Sequence, residues 1–290
     1  MAVTLKDLVA GEPKQIATGF GFTEGPVWHP DGYVLFTQID KEPHFIWKVA
    51  PGKEKELWRS GTGRATGLTL DLQGRVIACE QLNRRVSRQE KDGTVVGIAT
   101  HCEGKRLNRP NDVVGISDGS LYFTNRGAGS YPPEQTDIPQ NGVYRIAPNG
   151  DVQPAVYPFV DPNGLAFSPD EKTFYLINTR PSMHIDAFDV QKDGSLTNQR
   201  RFHTFKETGE PGFPDGMKLD QDGRIYCTGP GGIHVIEPNG NVIGVIKLPE
   251  QSINMGWGDA DNKTLYVAAM TSVYSLRMHV AGLKIPRAKK

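Results

Sequence analysis

The sequence predicts an all-β fold, a six-bladed β-propeller with four-stranded antiparallel blades, and three observations carry that prediction. A short unit recurs six times: a polar or small residue, a brief apolar stretch, a turn rich in Asp and Gly, then a second apolar strand. The units start roughly 40 to 50 residues apart, the length of a propeller blade. Six of them fill the 290 residues of the chain, whose 33 Gly and 21 Pro supply the turns that many short strands require.

The units can be justified in chain order. EGPVWHPDGYVLFT begins at Glu24 and turns at Gly32; TGLTLDLQGRVIACE begins at Thr66 and turns at Gly74; NDVVGISDGSLYFT begins at Asn111 and turns at Gly119. NGLAFSPDEKTFYLIN begins at Asn163 with its turn over 170–172, DGMKLDQDGRIYCT begins at Asp215 and turns at Gly223, and NMGWGDADNKTLYVAA begins at Asn254 with its turn over 261–263. Two further strand signals follow in five units: FIWKV with KELWR, VSRQE with VVGIA, GVYRIA with VQPAVY, HIDAFDV with RRFHTF, and IHVIEP with VIGVIKL. The last unit ends after SVYSLRM, so the segment near ATGF, from Ala17, is expected to supply its outer strand and remove an exposed edge. One domain then covers 1–290, with the cationic run over about 284–290 expected to be a solvated tail.

In a propeller the innermost strand of every blade lines the central channel, so the first residues of the six units form a ring at one mouth. The occupants are Glu24, Thr66, Asn111, Asn163, Asp215 and Asn254, and all but Thr66 carry a carboxylate or carboxamide. Carboxylates crowded into a narrow channel repel one another and lose hydration, which is costly unless a cation sits among them. Oxygen donors without Cys or His suit one hard divalent metal ion, calcium, magnesium or manganese, although zinc accepts carboxylate oxygen too. Asn and Asp also open turns for purely structural reasons, which does not account for Glu24. An inner strand that starts at this mouth runs away from it and the second strand returns, so the loops after the second strands overhang the pocket. Those loops begin near Gln38, Glu80, Asn125, Asn178 and Gly229, and the longest, over 126–140 with Tyr131, is expected to be a rim or lid.

Other functions find little support. The 33 basic and 33 acidic residues cancel, which argues against nucleic acid or an anionic membrane as partner, and no apolar run approaches the length of a membrane helix. Cys79, Cys102 and Cys227 lack the spacing of a zinc site, and Cys79 and Cys227 occupy equivalent second strands as small core residues. With no apolar core of signal-peptide length at the start, a reduced, cytoplasmic protein is the simpler expectation. The histidines are dispersed; His184 follows the loop holding Asn178 and Arg180 and is the one nearest the expected pocket. No nucleophile elbow, P-loop or dinucleotide glycine pattern is present.

Taken together, TEGPVWHPDG, GLTLDLQGRVIACEQLNRRVSR, EGKRLNRPNDVVGISDGSLYFT, PNGLAFSPDEKTFYL and FPDGMKLDQDGRIY resemble the SMP-30/gluconolactonase/LRE family over nearly the whole chain. The resemblance implies a divalent metal in the channel, held by Glu24, Asn163 and Asp215, with Asn111 as a further ligand or substrate contact. It also implies hydrolysis of a small-molecule lactone, with Asp215 taking the proton of the attacking water and Glu24 a ligand. This chain departs from the family pattern where YFTD reads YFTN, ending in Asn125, and YVTDT reads YLINT, with Asn178. Those amides, with Arg109, Arg126 and Arg180 beside them, point to a substrate that carries a carboxylate or another negative group. Two other readings stay open: a non-catalytic, metal-braced binding module, and a metal-dependent isomerase or lyase on the same scaffold. Either a monomer or a small homo-oligomer is compatible with the sequence.

Overall fold

Each repeat folds as its pattern predicts, two apolar strands pairing antiparallel across the Asp/Gly turn and two more adding outward. The computed structural model describes residues 3–127 and 136–286, and among them six four-stranded sheets form the blades. The inner strands are Thr23–His29, Ala65–Leu70, Arg109–Gly115, Pro162–Phe167, Met217–Leu219 and Ser252–Gly258. Each packs against the inner strands of its two neighbours, the first against the sixth, so the ring closes around a channel. The Asp of the turn fixes the hairpin by accepting backbone N–H bonds: Asp71 from Gln73 and Arg75, and Asp220 from Asp222 and Arg224.

Inner strands are covered on both faces, and Ala65–Leu70, Pro162–Phe167 and Ser252–Gly258 are buried throughout. The apolar core accordingly lies between blades; one cluster joins Ile77, Cys79 and Val86 of the second blade to Val113, Phe123 and Tyr144 of the third. All three cysteines are buried and unbridged. The sixth blade is completed by Lys14–Thr18, which pairs antiparallel with Ser272–Arg277, so the N-terminal strand closes the ring as expected. Among the described residues no helix is long and apolar enough to cross a membrane.

Three features were not expected. A four-residue helix spans Leu5–Leu8, and a two-residue hairpin, His101–Cys102 with Lys105–Arg106, follows the second blade. The third corrects the solvated tail: the chain folds back as a strap across the channel mouth opposite the polar ring. The Leu283 amide donates to the Leu219 carbonyl at 2.9 Å, and Ile285 packs on the cluster holding Val27, Leu68 and Leu70. Residues 287–290 of that tail lie outside the described residues.

Candidate active site at one mouth of the channel

The inner strands break their ladder where they reach the polar mouth. Pairing slips between Ala65 and Leu68, between Pro110 and Val113, and between Pro162 and Leu165, and each slip contains a ring residue, Thr66, Asn111 or Asn163. Such bulges re-aim side chains beside functional sites. The residue after the ring position is Gly in four blades because the next blade's backbone lies against it. A Cβ on Gly25 (φ +49°) would stand 2.0 Å from the Thr66 carbonyl oxygen, and one on Gly164 2.4 Å from that of Asp215.

The same contacts correct one member of the ring. The Gly164 amide bonds the carbonyl of Asp215 at 2.8 Å, and the Gly216 amide bonds that of Ile253 at 2.9 Å, so Ile253 occupies the ring level in the sixth blade. Asn254 stands one residue further in, at the glycine level, where the third blade carries Asp112. The two residues behave alike: each Oδ1 accepts the amide of the following residue at 2.8 Å. The Asn254 amide also reaches Glu24 Oε2 at 3.0 Å and Asp112 Oδ2 at 3.5 Å. Asp112 is thus a third channel carboxylate that the repeat alignment overlooks, although a carboxylate where four other units have Gly is a legible signal.

The other five ring residues, Glu24, Thr66, Asn111, Asn163 and Asp215, line one cavity of about 700 Å³. Asn111 Nδ2 donates to Asn163 Oδ1 at 2.6 Å, Asn163 Nδ2 donates to Thr179 Oγ1 at 3.0 Å, and Asn111 Oδ1 accepts from Gln81 Nε2 at 2.9 Å. Thr66 is turned to its neighbour, donating to the Asn111 carbonyl at 2.6 Å. Gly25 and Asn254 both donate to Glu24 Oε2.

Burial dominates the electrostatics. It pushes the Glu24 carboxyl well above the ordinary range, and the charges of Asp215 and Asp112 push it further, against the hydrogen bonds from Asn254 and Gly25. Asp215 is pushed up to about 7 by burial, with Arg126 pulling it down and Asp112 and Asp161 adding to the rise. Burial also raises Asp112, opposed by Lys218. A cluster of buried carboxylates this reluctant to ionise, framed by amide oxygens, has the donor chemistry of a hard-cation site. Among the described residues no three His, Cys, Asp or Glu side chains converge as one ligand group. An ion at this mouth would therefore take Glu24 and Asp215 together with amide oxygen from Asn163 or Asn111, whose carbonyls keep a second lone pair beyond the bonds above.

Residues from the loops after the second strands, Ile39, Gln81, Arg126, Gly127, Thr179, Arg180 and Pro181, line the cavity, the face that strand direction requires. Arg109, Arg126 and Arg180 are all among the lining residues, joined by Arg64, which the sequence reading did not single out. Asn125 and Asn178 are not. Asn125 Oδ1 accepts the amides of Asn108 and Arg109 at 3.0 and 2.9 Å. Asn178 Oδ1 accepts the Asp161 amide at 2.9 Å, and its Nδ2 donates to the carbonyls of Arg180 and Ser182. Both amides brace the loops that present the arginines and stand outside the cavity lining, which corrects their expected role. His184 is likewise absent from the lining, with Ser182 at 3.1 Å. Residues 128–135 of the expected lid, Tyr131 included, lie outside the described residues.

Residues 22–271 match the SMP-30/Gluconolactonase/LRE-like region. The chain is similar to the gluconolactonase of Zymomonas mobilis, at 28% identity over 92% of this chain and 81% of that protein. It is similar to the pentonolactonase XacC of Haloferax volcanii, at 27% over 84% and 80%. Among solved structures, the gluconolactonase XC5397 from Xanthomonas campestris superposes with a TM-score of 0.86, at 26% identity over 94% of this chain and 92% of that one.

Proposed function

This chain belongs to the SMP-30/gluconolactonase/LRE-like family, and from that premise we propose that it is a divalent-metal-dependent hydrolase that opens the ring of a sugar-acid or related lactone. Relatives named gluconolactonase and pentonolactonase support the reaction class. One observation carries the reading to particular residues: the Glu24 and Asp215 carboxyls, both buried, line one polar cavity together with the Asn111 and Asn163 amides. A carboxylate fixed there is placed to take a proton from water and return it.

Glu24, Asp215 and Asn163 would hold the ion, with Asn111 as a fourth ligand or a contact to a ring hydroxyl. When bound, such an ion polarises the lactone carbonyl and balances the charge that the carboxylates carry. Asp215 takes the proton of the attacking water as the oxygen bonds to the carbonyl carbon. The ring C–O bond then breaks, and the departing oxygen receives the proton, leaving a hydroxy acid. Asn254 holds Glu24 through Oε2, and Thr179 and Gln81 hold the amides of Asn163 and Asn111, so the oxygen donors meet the substrate in fixed positions.

The test is proton release by the purified protein on a panel of five- and six-membered sugar lactones, before and after chelation. Ion-dependent opening of at least one lactone is the expected result. No opening of any lactone in the presence of calcium, magnesium, manganese or zinc would sink the proposal.

A further inference from the structure

The cavity is electrically divided. Glu24 comes from the first blade and Asp215 from the fifth, whereas Arg64, Arg109, Arg126 and Arg180 come from the second, third and fourth and form a cationic arc. The four arginines are not equivalent. Arg126 is neutralised by Asp161, whose Oδ1 lies 2.5 Å from Nη2. Arg109 donates to Gln81 Oε1 at 2.9 Å. Arg180 has no carboxylate partner among the described residues and instead lies over the Phe213 ring, Cζ 5.2 Å from its centroid, which holds the guanidinium in place while leaving its edge free.

Arg64 is the least satisfied. Its Nε is buried and finds no hydrogen-bond acceptor, as is true of Arg109 Nε, but Arg109 is steadied through Nη2 by Gln81, whereas among the described residues no such bond holds the Arg64 guanidinium. Its backbone is left-handed, at φ 58°, a conformation a long side chain adopts only where surrounding structure imposes it. The Gln81 amide holds its carbonyl, and the chain enters the inner strand immediately after it. A buried guanidinium N–H without an acceptor is costly, and the cost is removed if the acceptor is a ligand.

We propose that Arg64 and Arg180 are the specificity determinants of this site and bind a carboxylate carried by the lactone itself, at the end remote from the scissile carbonyl. The proposal rests on the lactonase reading above. The guanidinium fork suits a planar carboxylate, and the separation of charge in the cavity orients the substrate, carbonyl toward Asp215 and carboxylate toward the arc.

The test compares D-glucaric acid γ-lactone, which carries a free carboxylate, with D-gluconic acid γ-lactone, which has the same ring and none. The ratio of kcat/KM for the charged over the neutral lactone is expected to exceed ten in the native protein. It should fall at least tenfold in Arg64→Gln and in Arg180→Gln, and by less in Arg64→Lys, which keeps the charge but loses the fork. An unchanged ratio in folded Arg64→Gln and Arg180→Gln overturns the proposal, as does a preference for a gluconic acid lactone bearing a terminal phosphate. Should Arg64→Gln not fold, Arg180→Gln reads the same ratio. Should no lactone of the panel open, the lactonase reading falls, and in that case, or where only these two stay closed, binding decides the clamp. D-glucarate must then raise the melting temperature more than D-gluconate does, and that difference must vanish in Arg180→Gln; equal shifts overturn it.

Discussion

The two mouths of the channel are built by the same six inner strands and share almost nothing else. At one, Glu24, Asn111, Asn163 and Asp215 present oxygen atoms to a cavity of about 700 Å³. At the other, Val27, Val113, Leu165, Phe167 and Trp257 wall a smaller cavity of about 210 Å³, closed by Leu283 and Ile285 of the strap. The change happens within two or three residues along a strand, from Glu24 to Val27, from Asn111 to Val113 and from Asn163 to Leu165. A strand of this kind gives up stability at one end, where buried carboxylates resist ionisation, and recovers it at the other through apolar packing. Substitutions at the two mouths should therefore move activity and stability in different directions.

The largest effect belongs to the polar mouth. Asp215→Asn should lower kcat/KM on the preferred lactone by about a thousandfold, the range expected for loss of a proton acceptor. In the metal-free protein at pH 8 the same change should raise stability by about 1 to 4 kcal/mol, because it removes a carboxylate that burial holds far from its ordinary range. Chemical denaturation of both proteins in chelator checks the second half, and a less stable Asp215→Asn would erase the contrast between the mouths.

At the strapped mouth the expected effect is on stability. A Cβ on Gly282 would stand 1.9 Å from Cγ of Trp257, so Gly282→Ala should displace the strap and cost about 1 to 3 kcal/mol. Trp257→Ala removes a buried indole from the cluster holding Leu265 and Met278, and should cost about 3 to 5 kcal/mol. Melting temperature and kcat/KM per folded molecule separate the two consequences; a Gly282→Ala protein that melts normally but has lost activity would show that the strap acts on the site.

The smallest effect is a pH dependence. Glu24, Asp112 and Asp215 have carboxyls raised on folding. Below about pH 4 both folded and unfolded chains keep these protons. As pH rises the unfolded chain ionises first, so stability in chelator should fall from about pH 4 through the Asp215 value of about 7. Asp215→Asn should flatten that slope, which urea midpoints across the range will show.

Much of this was legible in the sequence because propeller repeats write structure and site in one period. The closing strand Lys14–Thr18, the equivalent placement of Cys79 and Cys227, and the arginines at the cavity all follow from that period and from strand direction. What escaped it was local. The sixth inner strand has one residue more between the ring level and its turn, which moved Asn254 inward and put Ile253 in its place. Asn125 and Asn178 lie next to the cavity in sequence, yet loop amides N-terminal to the strands claim their oxygens. Arg64 sits in a short loop with no repeat signal, and only the fold shows that it enters the cavity. The strap escaped because its anchors, Leu283 and Ile285, alternate with charged residues and read as tail.

The most direct test of a functional polar mouth is a thermal melt of the metal-free protein titrated with calcium, magnesium, manganese and zinc at pH 8, run in parallel on Asp215→Asn and on Gly282→Ala. At least one ion should raise the melting temperature of the native protein and of Gly282→Ala with saturation near one ion per chain, and should leave Asp215→Asn unmoved, since stabilisation follows binding to the folded state alone. An Asp215→Asn protein that responds as the native one does would contradict the account.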